Sequence, residues 1–207
     1  MVKPAQFLTA EERERVRAAV AAAEQTTAGE IRVLVVGRSA PWSWLTGAAC
    51  GLAAGVIAYV LQHASTWGHP GVVEILVASA VALGVLFLGA WLLPPRRAAK
   101  DLAVWDRARR EFTRLGIGKT EGATGVLVMI SIFEHDVVVL ADKAINDKVA
   151  PDTWKREVQI LLTGVKAGRA GEGIAAAVTE IGAILAKHFP RREGDINELP
   201  DDVETGR

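Results

Sequence analysis

The chain has 207 residues, half of them hydrophobic, with 24 basic and 24 acidic side chains and a formal net charge of zero. A chain without a basic excess has no electrostatic grip on a nucleic-acid backbone, so no nucleic acid is expected as a partner. The one cysteine, Cys50, has no partner for an internal disulfide and reads as a small apolar residue. The first ten residues lack a basic segment followed by an apolar core, so a cleaved secretory leader is not expected.

Thr9-Ala-Glu-Glu12 reads as a capping box that starts a helix running to about Gln25. Val16, Ala19, Val20 and Ala23 form its apolar face, and Glu11, Arg13, Glu14, Arg15 and Arg17 its polar one. Residues 26–29 break the helix. Residues 30–36, Glu-Ile-Arg-Val-Leu-Val-Val, are rich in β-branched side chains and predict a strand. Its nearly continuous apolar character after Arg32 places it inside a sheet, with both faces covered.

Two uncharged runs follow, residues 42–61 and 75–93, joined by residues 62–74. Each has about the 20 apolar residues that cross a bilayer core as a helix, and together they predict a transmembrane hairpin over residues 42–95. Gly47, Gly51 and Gly55 recur every fourth residue on the first run, with Ala80 and Gly84 on the second. Small residues so spaced allow close helix approach, between the two runs or between two copies of the chain. Neither run has a charged residue at its centre, so the hairpin reads as an anchor and not as a transport path. Arg38 precedes it, Arg96, Arg97 and Lys100 follow it, and residues 62–71 carry no Lys or Arg. The positive-inside rule then puts both termini on the cytoplasmic side of a bacterial inner membrane. Trp42, Trp44, Trp67 and Trp91 lie near the span ends, as interfacial aromatics do.

After the hairpin, residues 98–115 predict a helix with Trp105, Ala108, Phe112 and Leu115 inward. Residues 125–131 and 136–141 are β-rich and flank a four-residue turn, which predicts an antiparallel hairpin. A helix over 153–165 buries Trp154, Val158, Leu161, Leu162 and Val165, and residues 168–173 separate it from a last helix over 174–188. Residues 191–207 are polar, mildly acidic and aperiodic, and read as a mobile tail. The first helix and strand are too few to bury a core alone. One discontinuous α/β domain, 9–37 with 98–190, follows: a mixed sheet of three or four strands with helices on both faces and the hairpin inserted.

The order of a capped helix, Thr-Ala-Gly-Glu30-Ile-Arg-Val-Leu-Val-Val, a helix ending Arg-Arg-Glu-Phe-Thr-Arg-Leu-Gly116, and then Thr-Gly-Val-Leu-Val-Met-Ile-Ser131 and Asp136-Val-Val-Val-Leu-Ala-Asp142-Lys-Ala-Ile145 resembles the TPM domain family. That family includes thylakoid proteins implicated in photosystem repair. The likeness spans most of the polar part, is most specific over residues 124–148, and points to the branch with a membrane hairpin inside the domain. It implies an α/β/α sandwich. Some members are described as metal-dependent acid phosphatases or calcium binders, and others act in assembly or upkeep of membrane complexes.

The residues that would serve a divalent cation stand at strand ends. They are Asp142, Asn146 and Asp147 after the third strand, with Glu30 and Thr124 at the starts of others. Hard oxygen ligands of this kind suit Ca2+ or Mg2+; Asp142 alternatively caps the next turn. Metal-binding relatives tend to carry a Gly-Tyr-Gly-Leu-Glu type segment here. This chain has Asp142-Lys-Ala-Ile-Asn146, with alanine for a glycine and asparagine for the glutamate. No nucleotide loop, His-Glu-x-x-His pair or nucleophile elbow is present, and no catalytic residue is assigned. The expectation is a membrane-anchored module that binds membrane proteins, itself through the hairpin, or the lipid bilayer. The alternatives are a metal-dependent phosphatase and an oligomer built through the glycine face.

Overall fold

The computed structural model describes residues 3–40, 97–150 and 152–206, and residues 51, 53–55, 57, 79–80, 82–84 and 87 between them. The chain forms two compact units, Met1–Ala40 with Lys100–Arg207, and Pro41–Ala99. In chain order the described elements are α1 (Pro4–Phe7), α2 (Ala10–Glu24), β1 (Glu30–Val36), α3 (Arg97–Arg114), a 3-10 turn (Ile117–Lys119), β2 (Gly125–Ser131), β3 (Asp136–Ala141), α4 (Lys143–Asn146), α5 (Trp154–Lys166), α6 (Ala170–His188) and β4 (Glu204–Gly206).

The capping box forms: the Glu12 amide donates to Thr9 Oγ1 at 3.2 Å, and the Thr9 amide donates to Glu12 Oε2 at 2.9 Å. The sheet has the order β3-β2-β1-β4 and is mixed. β1 runs parallel to β2, from Glu30 opposite Gly125 to Val36 opposite Ser131. β2 and β3 form the antiparallel hairpin expected of their sequences. Alternate residues serve opposite faces. Ile31, Val33, Val35, Val126, Val128, Val137 and Val139 pack against Val16 and Val20 of α2, Leu161 of α5 and Ile174, Val178, Ile181 and Leu185 of α6. Leu34, Val36, Leu127, Met129 and Val138 pack against Val104 and Ala108 of α3 and against Ile117. Burial on both faces explains why β1 and β2 read as apolar runs and not as alternating ones.

Three expectations change. The tail, read as aperiodic, is docked: β4 pairs in parallel with Leu34, Val35 and Val36 of β1. Its docking answers a need of Arg32, which is 5% exposed in the middle of β1. The Arg32 guanidinium donates to the carbonyls of Pro200 and Asp202 and pairs with Glu204 at 3.5 Å. A buried guanidinium without such acceptors is costly. Second, α6 begins at Ala170, so Gly171 and Gly173 lie inside the helix. A Cβ at Gly171 would come within 2.5 Å of Glu12 Cβ, and one at Gly173 within 2.9 Å of Gly164 Cα. These glycines seat α6 on α2 and α5 and do not break a helix. Third, the inward line of α3 is Val104, Ala108 and Glu111, while Trp105 is 42% exposed. Glu111 tolerates burial because Arg107 and Arg114 hold it at 2.8 and 2.5 Å.

The expected hairpin over 42–95 lies almost wholly outside the described residues. Among the described residues no helix is long and apolar enough to cross a membrane. The described positions of Pro41–Ala99 are helical. Within this unit Gly51, Gly55 and Gly84 look onto open space and Ala80 is exposed, whereas Ala53 is buried; Gly47 lies outside the described residues.

Candidate functional site at one end of the sheet

Because β1 and β2 are parallel and β3 returns beside β2, the starts of β1 and β2 and the end of β3 share one end of the sheet. Glu30, Thr124 and Asp142 are therefore brought to that end: Glu30 stands opposite Gly125, the Glu30 amide donates to the Thr124 carbonyl at 3.2 Å, and the Asp142 amide donates to the Gly125 carbonyl at 2.9 Å. Their side chains do not converge. Thr124 Oγ1 donates to the Ala28 carbonyl at 2.8 Å, which ties the loop before β2 to the loop before β1. Glu30 is 5% exposed and accepts from the amides of Glu198 and Leu199, each at 3.2 Å. Burial pushes the Glu30 carboxyl up, against the lowering effect of those two amides.

Asp142 caps α4: its Oδ1 accepts from the Lys143 amide at 2.6 Å. Its other oxygen, Oδ2, is buried with no hydrogen-bond partner, on the side of Gly118 and Phe112. Asn146 donates to the Ala141 carbonyl at 2.7 Å, and Asp147 is the exposed C-cap of α4. Among the described residues no group of three or more His, Cys, Asp or Glu is placed to hold a metal ion.

Beside Glu30 the fold assembles a cleft of about 170 Å3, lined by Glu24, Glu30, Arg191, Asp195, Asn197 and Asp201. Glu24, the last residue of α2, is 7% exposed. Its Oε1 accepts from the Ile31 amide at 2.8 Å, and its Oε2 accepts from Asn197 Nδ2 at 3.2 Å. The same Asn197 nitrogen donates to Asp201 at 2.6 Å. Burial, reinforced by Glu30 and Asp201, pushes the Glu24 carboxyl up to about 8. This end of the sheet can thus store a proton near neutral pH, and its acids bind the tail to the domain. A single sequence does not reveal these roles for Glu24, Asn197 and Asp201. The one available signal was a pair of charged residues, Glu30 and Arg32, in a strand whose other positions are apolar.

At the opposite end, where β1 and β2 finish, lies a second buried polar group. Ser39 Oγ lies 2.8 Å from Ser131 Oγ, Ser131 Oγ donates to Glu134 Oε2, and both Glu134 oxygens accept from the Ser39 amide at 3.1 and 3.0 Å. All three residues are at most 6% exposed. The group pins the chain leaving β1 to the β2–β3 turn.

Residues 96–184 match the TPM domain. The TPM match begins at α3 and runs into α6, so it includes Thr124, Asp142, Asn146 and Asp147 and leaves out Glu24, Glu30 and the tail. The NMR structure of BA42 protein from the psychrophilic bacterium Bizionia argentinensis is similar to this chain at a TM-score of 0.64 and 25% identity, over 100% of each chain. Among curated proteins there is no match.

Proposed function

We propose that this chain is a membrane-anchored TPM-like module that binds membrane proteins and serves the assembly or maintenance of their complexes without catalysing a reaction. The observation that carries this reading is the use the fold makes of its strand-end acids. Glu24, Glu30 and Asp142 are each engaged by the chain's own amides, at Ile31, at Glu198 and Leu199, and at Lys143. Carboxylates spent as internal staples hold a rigid scaffold; phosphate-ester chemistry needs them turned toward a shared substrate position. The two uncharged runs, 42–61 and 75–93, supply the anchor, and the Arg and Lys residues flanking them place both termini in the cytoplasm at a bacterial inner membrane.

A second reading, a divalent-metal-dependent phosphatase, is favoured by one feature, the buried and unpartnered Oδ2 of Asp142. Calcium and magnesium titrations of the full chain in detergent micelles, followed by amide NMR, separate the two. Saturable shifts over 142–147 that vanish in Asp142→Ala, with metal-dependent ester hydrolysis lost in the same variant, would replace the scaffold reading with the enzyme. No shift at millimolar metal supports the scaffold. The outward-looking Gly51, Gly55 and Gly84 favour a self-association role for the hairpin. An oligomeric state unchanged in Gly51→Ile would remove that role.

A further inference from the structure

The two ends of the sheet differ in chemistry. The start of β1 and β2 is mainly acidic, with Glu24, Glu30, Asp195 and Asp201 beside one cation, Arg191, around one cleft and Glu121 bonded through its amide to Glu198. The finish of β1 and β2 carries cations on an aromatic ring. The Arg38 guanidinium lies 5.5 Å and the Lys100 ammonium 5.7 Å from the centre of the Phe133 ring, in the β2–β3 turn. The Phe133 amide donates to the Gly37 carbonyl at 3.0 Å, which fixes that turn to the end of β1. From Lys100 the helix α3 carries two large apolar side chains outward, Leu102 at 68% and Trp105 at 42% exposure, three residues apart and so on one face.

From this polarity we infer that the β2–β3 turn and the first turns of α3 form a docking surface for anionic phospholipid headgroups. Lys100 meets the phosphates beside Arg38 on the Phe133 ring, and Leu102 and Trp105 enter the interface. The inference rests on the membrane-anchored reading above for its geometry, since Arg38 and Lys100 stand only a few residues outside the two uncharged runs. Three physical arguments select lipid. Lys and Arg side chains beside a bilayer are drawn to its anionic surface within about a Debye length. Tryptophan, with an apolar body and one N–H, favours the headgroup level. Glu121, Asp195 and Asp201 at the other end are repelled by the same surface, which sets that end away from it.

The test uses the full chain with Cys50→Ala, reconstituted in nanodiscs of phosphatidylcholine alone or with about a third phosphatidylglycerol. A nitroxide is placed at Leu102→Cys or, as a reference at the acidic end, at Glu121→Cys. The expected result is that collision with a water-soluble relaxant falls about threefold or more at position 102 when phosphatidylglycerol is present, and recovers at high salt or with Lys100→Glu. Position 121 stays water-exposed in both lipids. Equal exposure at 102 in both lipids overturns the inference. So does shielding that is the same in both lipids, or that follows only from adding a membrane protein, because the surface would then serve a protein partner. Failure of the anchor is read separately. A chain that does not enter discs at all refutes the hairpin. The same label, with vesicles of the two compositions added from outside, then supports the surface if only the anionic vesicles shield it and overturns it if neither does.

Discussion

Replacing Glu24 with glutamine tests how the tail is held. The Glu24 carboxyl rises from its ordinary value near 4.5 to about 8, chiefly through burial. At about 1.4 kcal/mol per pH unit, that shift is worth about 5 kcal/mol between the two protonation states. The sign follows from proton binding. Between 4.5 and 8 the folded chain keeps a proton that the unfolded chain has lost, so stability is fully present below about pH 4.5 and falls as pH rises to about 8. The 5 kcal/mol is a ceiling, because undocking the tail would rehydrate the carboxylate at the smaller cost of a local opening. Glutamine keeps an oxygen for the Ile31 amide and has no charge to bury, but its NH2 cannot accept from Asn197 Nδ2 as Oε2 does. Urea unfolding of wild type and Glu24→Gln, in one detergent at pH 5, 7 and 9, should therefore show a lower midpoint for the variant at pH 5 and a difference that shifts in its favour as pH rises to 9. A residual slope in the variant is expected from Glu30, whose carboxyl is also pushed up. Parallel pH profiles for the two proteins would refute the argument.

Two further substitutions probe the packing and a buried carboxyl group. Gly173→Ala gains up to about 1 kcal/mol of helix propensity but drives a methyl against the Gly164 backbone at 2.9 Å, and overpacking costs about 1–3 kcal/mol; the net is a lower urea midpoint, and a higher one would show that α5 and α6 can part without cost. Glu157 is 3% exposed in α5 with Oε2 buried and unpartnered, so Glu157→Met should raise the midpoint by the equivalent of about 1–3 kcal/mol, which the same unfolding assay reads.

What was legible in the sequence was what local chemistry decides. β-branched runs made β1, β2 and β3, and the Thr9–Glu12 capping box started α2. Burial of strands on both faces followed from their unbroken apolar character, and the covering helices from their stripes. The misreadings share a cause, which is that tertiary contacts outvoted local pattern. Three residues, Glu-Thr-Gly, make β4 only because β1 offers an edge. Gly171 and Gly173 look like helix breakers until α2 and α5 press on them. The spacing of Trp105, Ala108, Phe112 and Leu115 puts Trp105 inward, yet the line turned to the sheet is Val104, Ala108 and Glu111. At the candidate site, the sequence put Glu30, Thr124 and Asp142 at strand ends, and the topology brings them to one end of the sheet. It could not show that each faces a different segment.

The charged residues of β1 link these observations. A strand buried on both faces has no room for Glu30 or Arg32 unless each meets a partner of matching chemistry. No element before residue 190 supplies one in the described contacts: Glu30 takes the amides of Glu198 and Leu199, and Arg32 takes the carbonyls of Pro200 and Asp202 and the carboxylate of Glu204. The two side chains thus read the tail as a short peptide, one through its donors and the other through its acceptors, and β4 then extends that peptide along Leu34, Val35 and Val36. Glu24 joins through Asn197, which makes the grip sensitive to pH. A segment held by backbone hydrogen bonds and a few charged contacts, with a short strand at its end, opens at lower free energy than the α2–α5–α6 core. The edge of β1 beneath the tail is therefore among the parts of the described fold that open most readily.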